Sequence, residues 1–131
     1  MTSYIRFEPV VEDYTYSTYT DGNGNGVRTV DISAGVDAPL GPGQRLANTF
    51  PGVSFGLMNG YPDADLTPGT GSDGVRIGSA RILTLSPDGT ATAGTLYLHG
   101  RRSQYAIRIL GSTGRVRVLQ YVPSEGIWQP R

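Results

Sequence analysis

Side-chain character alternates at every second residue over much of this chain, and no other feature limits its fold as strongly. Ile5 and Phe7 alternate with polar residues near the N-terminus, and tyrosines alternate with threonine and serine in DYTYSTYTD. Ile107 and Ile109 alternate in the same way before a turn at residues 111–114. A period of two residues is typical of strands with one buried and one solvated face, as in antiparallel sheets. The chain is therefore predicted to consist of β-strands.

Glycine and proline divide these segments into short pieces. The 131 residues include 19 glycines and nine prolines, which suits a single domain, residues 1–131, with many turns. The pattern fits a sandwich or a partly open barrel. We predict an all-β fold, an antiparallel β-sandwich of two small sheets with long irregular loops, a short helical turn near residues 44–48 and no long helix. Strands are predicted in SYIRFEP, DYTYSTYTD, VRTVDI, GVSFGLM, ARILTL, TAGTLYLHG and both arms of SQYAIRILGSTGRVRVLQYV.

The alternation also predicts which apolar residues are buried. Residues two apart on a strand share a face, so the apolar members of the C-terminal strands should form one buried layer. The expected members of this layer are Ile82, Leu96, Leu98, Ile107, Ile109, Val116 and Val118.

Composition narrows the classes of function. The 11 basic and 11 acidic residues cancel, so we expect no nucleic-acid partner, and Arg101 and Arg102 are interpreted as exposed strand and turn residues although Tyr97 and Tyr105 lie nearby. The chain has no cysteine, which excludes disulfides, zinc–thiolate sites and cysteine nucleophiles. No apolar run is long enough for a membrane helix, so no membrane contact is expected from these residues.

No catalytic group of residues is apparent. His99 is the single histidine, it stands at a strand end, and the nucleophile motif G-x-S-x-G is absent. The segment GTGSDG lacks the lysine and the strand–loop–helix setting of a phosphate-binding loop. We therefore expect a protein that is not an enzyme.

The segment YTDGNGNGVRTVDI begins like a calcium loop of the EF-hand type. Its first three ligand positions hold aspartate or asparagine, but the last position, which needs a bidentate glutamate, holds Ile32. Glycine and asparagine also make tight turns readily. We expect a turn between two strands and no cofactor, with calcium at most weakly bound. The ligands of such a weak site would be Asp21, Asn23, Asn25 and Asp31.

The long segment at residues 59–74 is rich in glycine, proline and aspartate. Loops of this length in a small domain are usually functional or mobile. We expect its acidic residues to be solvated and the segment to face a partner. The residues proposed for this partner-facing loop are Tyr61, Asp63, Asp65 and Asp73.

The C-terminal third resembles a known family. It contains a strand that ends in the turn SPDG at residues 86–89, the small-residue stretch TAGT at 92–95, and a last hairpin with GRV at 114–116. These pieces, which we expect to lie in one antiparallel sheet, resemble the C-terminal signature of the GspH/FimT minor pseudopilins. Those proteins are subunits of type II secretion systems and type IV pili.

The resemblance implies a β-sandwich head on a long N-terminal helix that anchors the subunit in the bacterial inner membrane and packs it into a fibre. It implies other pseudopilin or pilin subunits as partners, and the periplasmic face of the inner membrane, in the cell envelope, as the location. That helix is absent here. We expect a truncated fragment that holds the head alone, with Met1 (and Thr2 and Ser3) added by cloning, from a full-length form that is membrane-anchored.

A β-sandwich module that binds a ligand such as a carbohydrate is the alternative. Such modules usually present several aromatic side chains on one face. Tyr14, Tyr16 and Tyr97 are the residues that would supply them here.

Overall fold

The alternating segments form strands in the computed structural model, which describes residues 1–66 and 73–131. The helical elements described are one short helix, α1 (Thr29–Ser33), and a single 3-10 turn, Leu46–Asn48. The strands are β1 (Ser3–Val10), β2 (Asp13–Thr20), β3 (Ala38–Pro39), β4 (Ser54–Phe55), β5 (Val75–Ile77), β6 (Ile82–Leu85), β7 (Gly94–His99), β8 (Gln104–Leu110), β9 (Arg115–Val122) and β10 (Ile127–Pro130).

These strands form two antiparallel sheets. Sheet A has four strands in the order β3-β2-β1-β6. Sheet B has six, in the order β10-β9-β8-β7-β4, with β5 pairing with another part of β7. The prediction of an all-β sandwich of two antiparallel sheets without a long helix is confirmed.

The main core lies between the two sheets. Phe55 is at its centre, and its ring meets the rings of Phe7, Tyr14 and Tyr16 edge-on at centroid distances of 5.6, 6.4 and 6.2 Å. Edge-to-face contacts of this kind add to the free energy gained from burying the rings. The buried residues of this core are Phe7, Tyr14, Phe55, Val75, Ile77, Leu83, Leu96 and Ile109.

Sheet B is also covered on its other face. Tyr97, Ala106 and Leu119 are neighbours across β7, β8 and β9, and Leu57 packs on them from the segment that follows β4. Tyr61, Ala64 and Trp128 pack against the same cluster. Sheet B therefore has two buried faces over its centre, instead of one buried and one solvated face.

Three members of the predicted buried layer were assigned incorrectly. Ile82 lies opposite Arg6, on the outer face of sheet A, and its neighbour Leu83 is the core residue. Val116 and Val118 do share a face with Ile109 and Ile107, as the register requires. They are nevertheless 58% and 39% exposed, because none of the core residues contributed by sheet A or sheet B lies on β9.

Several strand predictions were also wrong. The segment VRTVDI forms α1 instead of a strand, and GVSFGLM is a strand only at two residues. The short strands β5 and β10 were not predicted. The expected single C-terminal sheet is divided, since β6 joins sheet A while β7, β8 and β9 lie in sheet B. None of the helices formed by residues 1–66 and 73–131 has the length and apolarity needed to cross a membrane.

Candidate functional site

The DGNGNG loop is organised around the carboxylate of Asp21. Its Oδ1 accepts hydrogen bonds from the backbone N–H groups of Asn23 (3.3 Å) and Gly24 (2.9 Å), and its Oδ2 accepts one from Gly26 (2.7 Å). The side chain of Asn23 donates to Oδ2 of Asp31 at 3.3 Å. Three of the four suggested calcium ligands are thus close together, while Asn25 is exposed in the same loop.

Both oxygens of Asp21 are already used by the backbone. Partial burial alone would raise the pKa of Asp21, but the backbone N–H groups of Gly26, Asn23 and Gly24 outweigh it and lower the pKa. Within the described residues no three His, Cys, Asp or Glu side chains are grouped to hold a metal ion. The loop joins a strand to α1, so the expectation that it links two strands was wrong.

Calcium should therefore bind this loop weakly, with a Kd on the order of 10⁻⁴–10⁻³ M, as in extracellular modules. We expect micromolar calcium to leave the melting temperature unchanged, because a ligand that binds the native state must raise it in proportion to occupancy. Asp21→Ala should remove any rise seen at millimolar calcium. Asp88→Ala, which alters another exposed turn aspartate that accepts backbone and side-chain bonds from Thr90, is the matched control. A clear rise at micromolar calcium that Asp21→Ala abolishes would contradict this prediction.

The described part of the long loop is held firmly on sheet B. Asp63 is only 4% exposed, and its carboxylate pairs with Arg76 at 2.9 Å. Its backbone C=O accepts a hydrogen bond from the indole N–H of Trp128 at 2.9 Å. The next residue, Ala64, donates its N–H to the hydroxyl of Tyr97 at 2.8 Å. The expectation that Asp63 is solvated is wrong, because this carboxylate is buried with a charged partner.

The other predicted partner-facing residues are also engaged. Tyr61 packs on Tyr121 at a centroid distance of 4.8 Å. Asp65 is exposed but pairs with Arg108 at 2.7 Å. Asp73 is exposed and lies beside Arg81 at 3.4 Å. Residues 67–72 of the predicted loop lie outside the described residues.

A groove of about 750 Å³ opens at one end of the sandwich, between the β1–β2 turn, the segment after β4 and the turn after β7. The hydroxyl of Tyr14 lies in it and donates to the carboxylate of Asp73. Burial raises the pKa of Tyr14 to about 12, and the hydrogen bond and charge of Asp73 act in the same direction. The phenol therefore stays protonated and serves as a structural donor.

Two further groups in the groove are also structural. Asp13 is buried, accepts the N–H of Phe55 at 2.8 Å and pairs with Arg45 at 3.3 Å. His99 is half-buried, and its Nδ1 lies 2.8 Å from the carbonyl of Gly100. Among the described residues no hydrogen bond joins His99 to a serine or a carboxylate. The groove therefore lacks the arrangement of a hydrolytic triad within this part of the chain.

The tyrosines named for a carbohydrate-binding face do not form one. Tyr14 is buried in the core, Tyr16 packs against the same core, and Tyr97 is only 1% exposed in the second cluster. Stacking on a sugar needs an exposed ring. The geometry therefore gives no support to the carbohydrate alternative from these residues.

A row of apolar side chains on sheet B is left uncovered, and we call it the apolar strip. It consists of Val116, Val118, Val122 and Ile127, which the register of β8, β9 and β10 places on one face. Three of the four are exposed and Val122 is half-buried. This face lies next to the main core but extends past sheet A, so these side chains remain in solvent.

The sequence pattern identified the members of β9 but assigned them to the core. Val116 and Val118 alternate with Arg115 and Arg117, which looks like a strand with one buried face. The width of sheet A, which decides whether that face is covered, leaves no signal in the alternation. None of the protein-family models, curated proteins or solved structures compared with this chain matches it.

Proposed function

We propose that this chain is the globular head of a minor pseudopilin or pilin subunit, which contacts other subunits in a type II secretion or type IV pilus assembly at the periplasmic face of the inner membrane. In this proposal the head is a non-catalytic protein-interaction module, and any bound calcium braces a loop. The resemblance of the C-terminal third suggests the family. The observation that carries the proposed role is the apolar strip.

The strip supports a role in assembly for an energetic reason. Exposed apolar surface favours burial by about 25 cal/mol per Å². Val118 and Ile127 stand on adjacent strands of the same sheet face, so a flat apolar partner surface can cover both at once. Contiguous exposed apolar surface of this kind marks interaction sites, whereas single exposed apolar residues are ordinary.

The signature residues occupy positions that suit a structural role. The turn at residues 86–89 closes with a hydrogen bond from the N–H of Gly89 to the carbonyl of Ser86 at 3.1 Å. Gly94 and Gly114 each lie against backbone of a neighbouring segment, where a larger residue would collide. These positions explain the signature as packing and turn chemistry and involve no reacting group.

The proposal is tested with a charged double variant in a bacterium that carries the gene. Val118→Arg combined with Ile127→Arg should abolish complementation of a deletion strain for export or piliation, because both arginines would be buried in the subunit contact. The purified double variant should keep its melting temperature, since both positions are exposed in the head.

The matched control is Val11→Arg, which changes an 87% exposed valine in the β1–β2 turn, away from the strip. This variant should complement fully. Full complementation by the double variant would contradict an assembly role of the strip. Coding sequence upstream that specifies a prepilin cleavage site and an apolar helix would support the family assignment independently.

A further inference from the structure

The first half of strand β9 is exposed on both faces. Its residues 115–118 are all exposed, whereas Leu119, the next residue, is buried. Strand β10 pairs only with residues 119–122, and after it the N–H of Arg131 donates to the carbonyl of Val118 at 2.8 Å. No described strand lies beside residues 115–117 on that side. We call residues 115–118 the open edge.

The backbone of the open edge has hydrogen-bonding groups to offer. In an antiparallel strand, residues two apart direct their N–H and C=O groups to the same side. The carbonyl of Val118 faces Arg131, on the β10 side. The N–H and C=O of Val116 therefore face this side too, where β10 has ended, and they have no partner among the described residues. Unpaired edge groups of this kind are a template for another strand.

The side chains at the open edge have opposite character on its two faces. Val116 and Val118 are apolar and lie on one face, and Arg115 and Arg117 lie on the other. Neither arginine forms an ion pair with any residue in the described ranges. Arg117 also stands directly opposite Arg108 on β8, and like charges in this position destabilise a sheet.

The same face already shows how an acidic residue relieves this repulsion. Asp65 bonds to the guanidinium of Arg108 at 2.7 Å, and it reaches sheet B from a segment that alternates acidic and apolar residues, at 63–66. That segment is held in place by Asp63 and Ala64. A second copy of it is therefore not free to act as the partner of Arg115 and Arg117.

We propose that the open edge binds an extended segment of another protein by strand addition, and that this segment alternates apolar and acidic residues. Its backbone pairs with the N–H and C=O of Val116. Its apolar side chains continue the row of Val116 and Val118, and its carboxylates meet Arg115 and Arg117. Backbone pairing supplies affinity and the alternating side chains supply specificity, as in other cases of strand addition. The inference does not depend on the proposed function.

The probe for the test is a short, capped and fluorescently labelled peptide that alternates valine with glutamate. Its binding is followed by fluorescence anisotropy, and the exchange of the Val116 amide hydrogen is followed by NMR. We expect saturable binding and slower exchange at Val116. A peptide with lysine in place of glutamate should bind at least about tenfold more weakly, since it places cations against Arg115 and Arg117.

Two variants separate the backbone from the charges. Val116→Pro removes the N–H that faces the open edge, at an edge position where proline is tolerated, and should weaken the glutamate peptide about tenfold or more. Arg115→Glu combined with Arg117→Glu should reverse the preference in favour of the lysine peptide. Arg101→Glu combined with Arg102→Glu, in the exposed turn after β7, is the matched control and should leave both affinities unchanged.

Each outcome decides the proposal. Absence of peptide binding, or equal binding by Val116→Pro, would overturn strand addition. Tighter binding of single-stranded DNA than of the glutamate peptide would identify a site for polyanions and would also overturn it. If Val116→Pro fails to fold, the exchange of the Val116 amide in the unaltered chain decides the same point.

Discussion

Replacement of Gln104 by leucine should lower the free energy of unfolding by about 3 kcal/mol or more, because buried backbone groups would lose their partners. Gln104 is fully buried. Its Oε1 accepts the N–H of Met58 at 2.6 Å, and its Nε2 donates to the carbonyls of Gly56 (3.0 Å), Leu98 (3.1 Å) and Tyr105 (3.1 Å). Leucine fills a similar volume but makes none of these bonds. The side chain thereby joins the segment after β4 to strands β7 and β8.

Chemical denaturation of the variant and the unaltered protein measures this effect. The matched control is Gln129→Leu, an exposed glutamine on β10 that bonds to Glu125, and its change should stay within about 0.5 kcal/mol. The segment after β4 should also become more sensitive to proteolysis in Gln104→Leu, since it loses an attachment to sheet B. Equal destabilisation by the two variants would contradict the role assigned to Gln104.

Alanine at Gly94 should destabilise the protein by about 2 kcal/mol or more, the effect of overpacking a closely packed site. A Cβ at this position would lie 2.4 Å from the carbonyl oxygen of Arg76 and 2.8 Å from Cγ1 of Ile77. The first of these atoms belongs to the backbone of β5 and cannot rotate away. The strand pair β5–β7 must separate to admit the methyl group.

Gly100, just past the other end of β7, provides the comparison. A Cβ there meets nothing within 4 Å, so Gly100→Ala should change stability by less than about 1 kcal/mol, in the stabilising direction if the backbone suits alanine. Thermal unfolding of both variants gives the difference. A Gly94→Ala variant as stable as Gly100→Ala would mean that β5 does not lie this close to β7.

Local patterns predicted the strands and hairpins well where alternation is long. Ile5 and Phe7 do lie on the core face of β1, opposite the polar side. The β8–β9 hairpin turns at residues 111–114, as its glycines indicated. Both features depend on neighbouring residues, so they can be derived from the order of side chains alone.

The DGNGNG loop shows where local patterns cease to be sufficient. Its glycines and asparagines predicted a turn, but the segment after it forms α1. Asp37, which is buried, accepts the N–H groups of Gly22 at 2.8 Å and Arg28 at 2.9 Å. This carboxylate, several residues further along the chain, holds the start of the loop beside the start of the helix. Alternation within VRTVDI carries no information about that contact.

The sequence by itself determined the class of fold, the pairing of adjacent strands and the register of the C-terminal hairpin, because these depend on alternation and turn residues. Only the tertiary structure decided which faces are buried. Ile109 and Val116 are cross-strand neighbours with the same chemistry, yet one is in the core and the other is in solvent, because the residues of sheet A pack over β8 and not over β9. Asp63 is buried because Arg76 neutralises it. Both outcomes depend on residues distant in sequence, and both the apolar strip and the open edge follow from them.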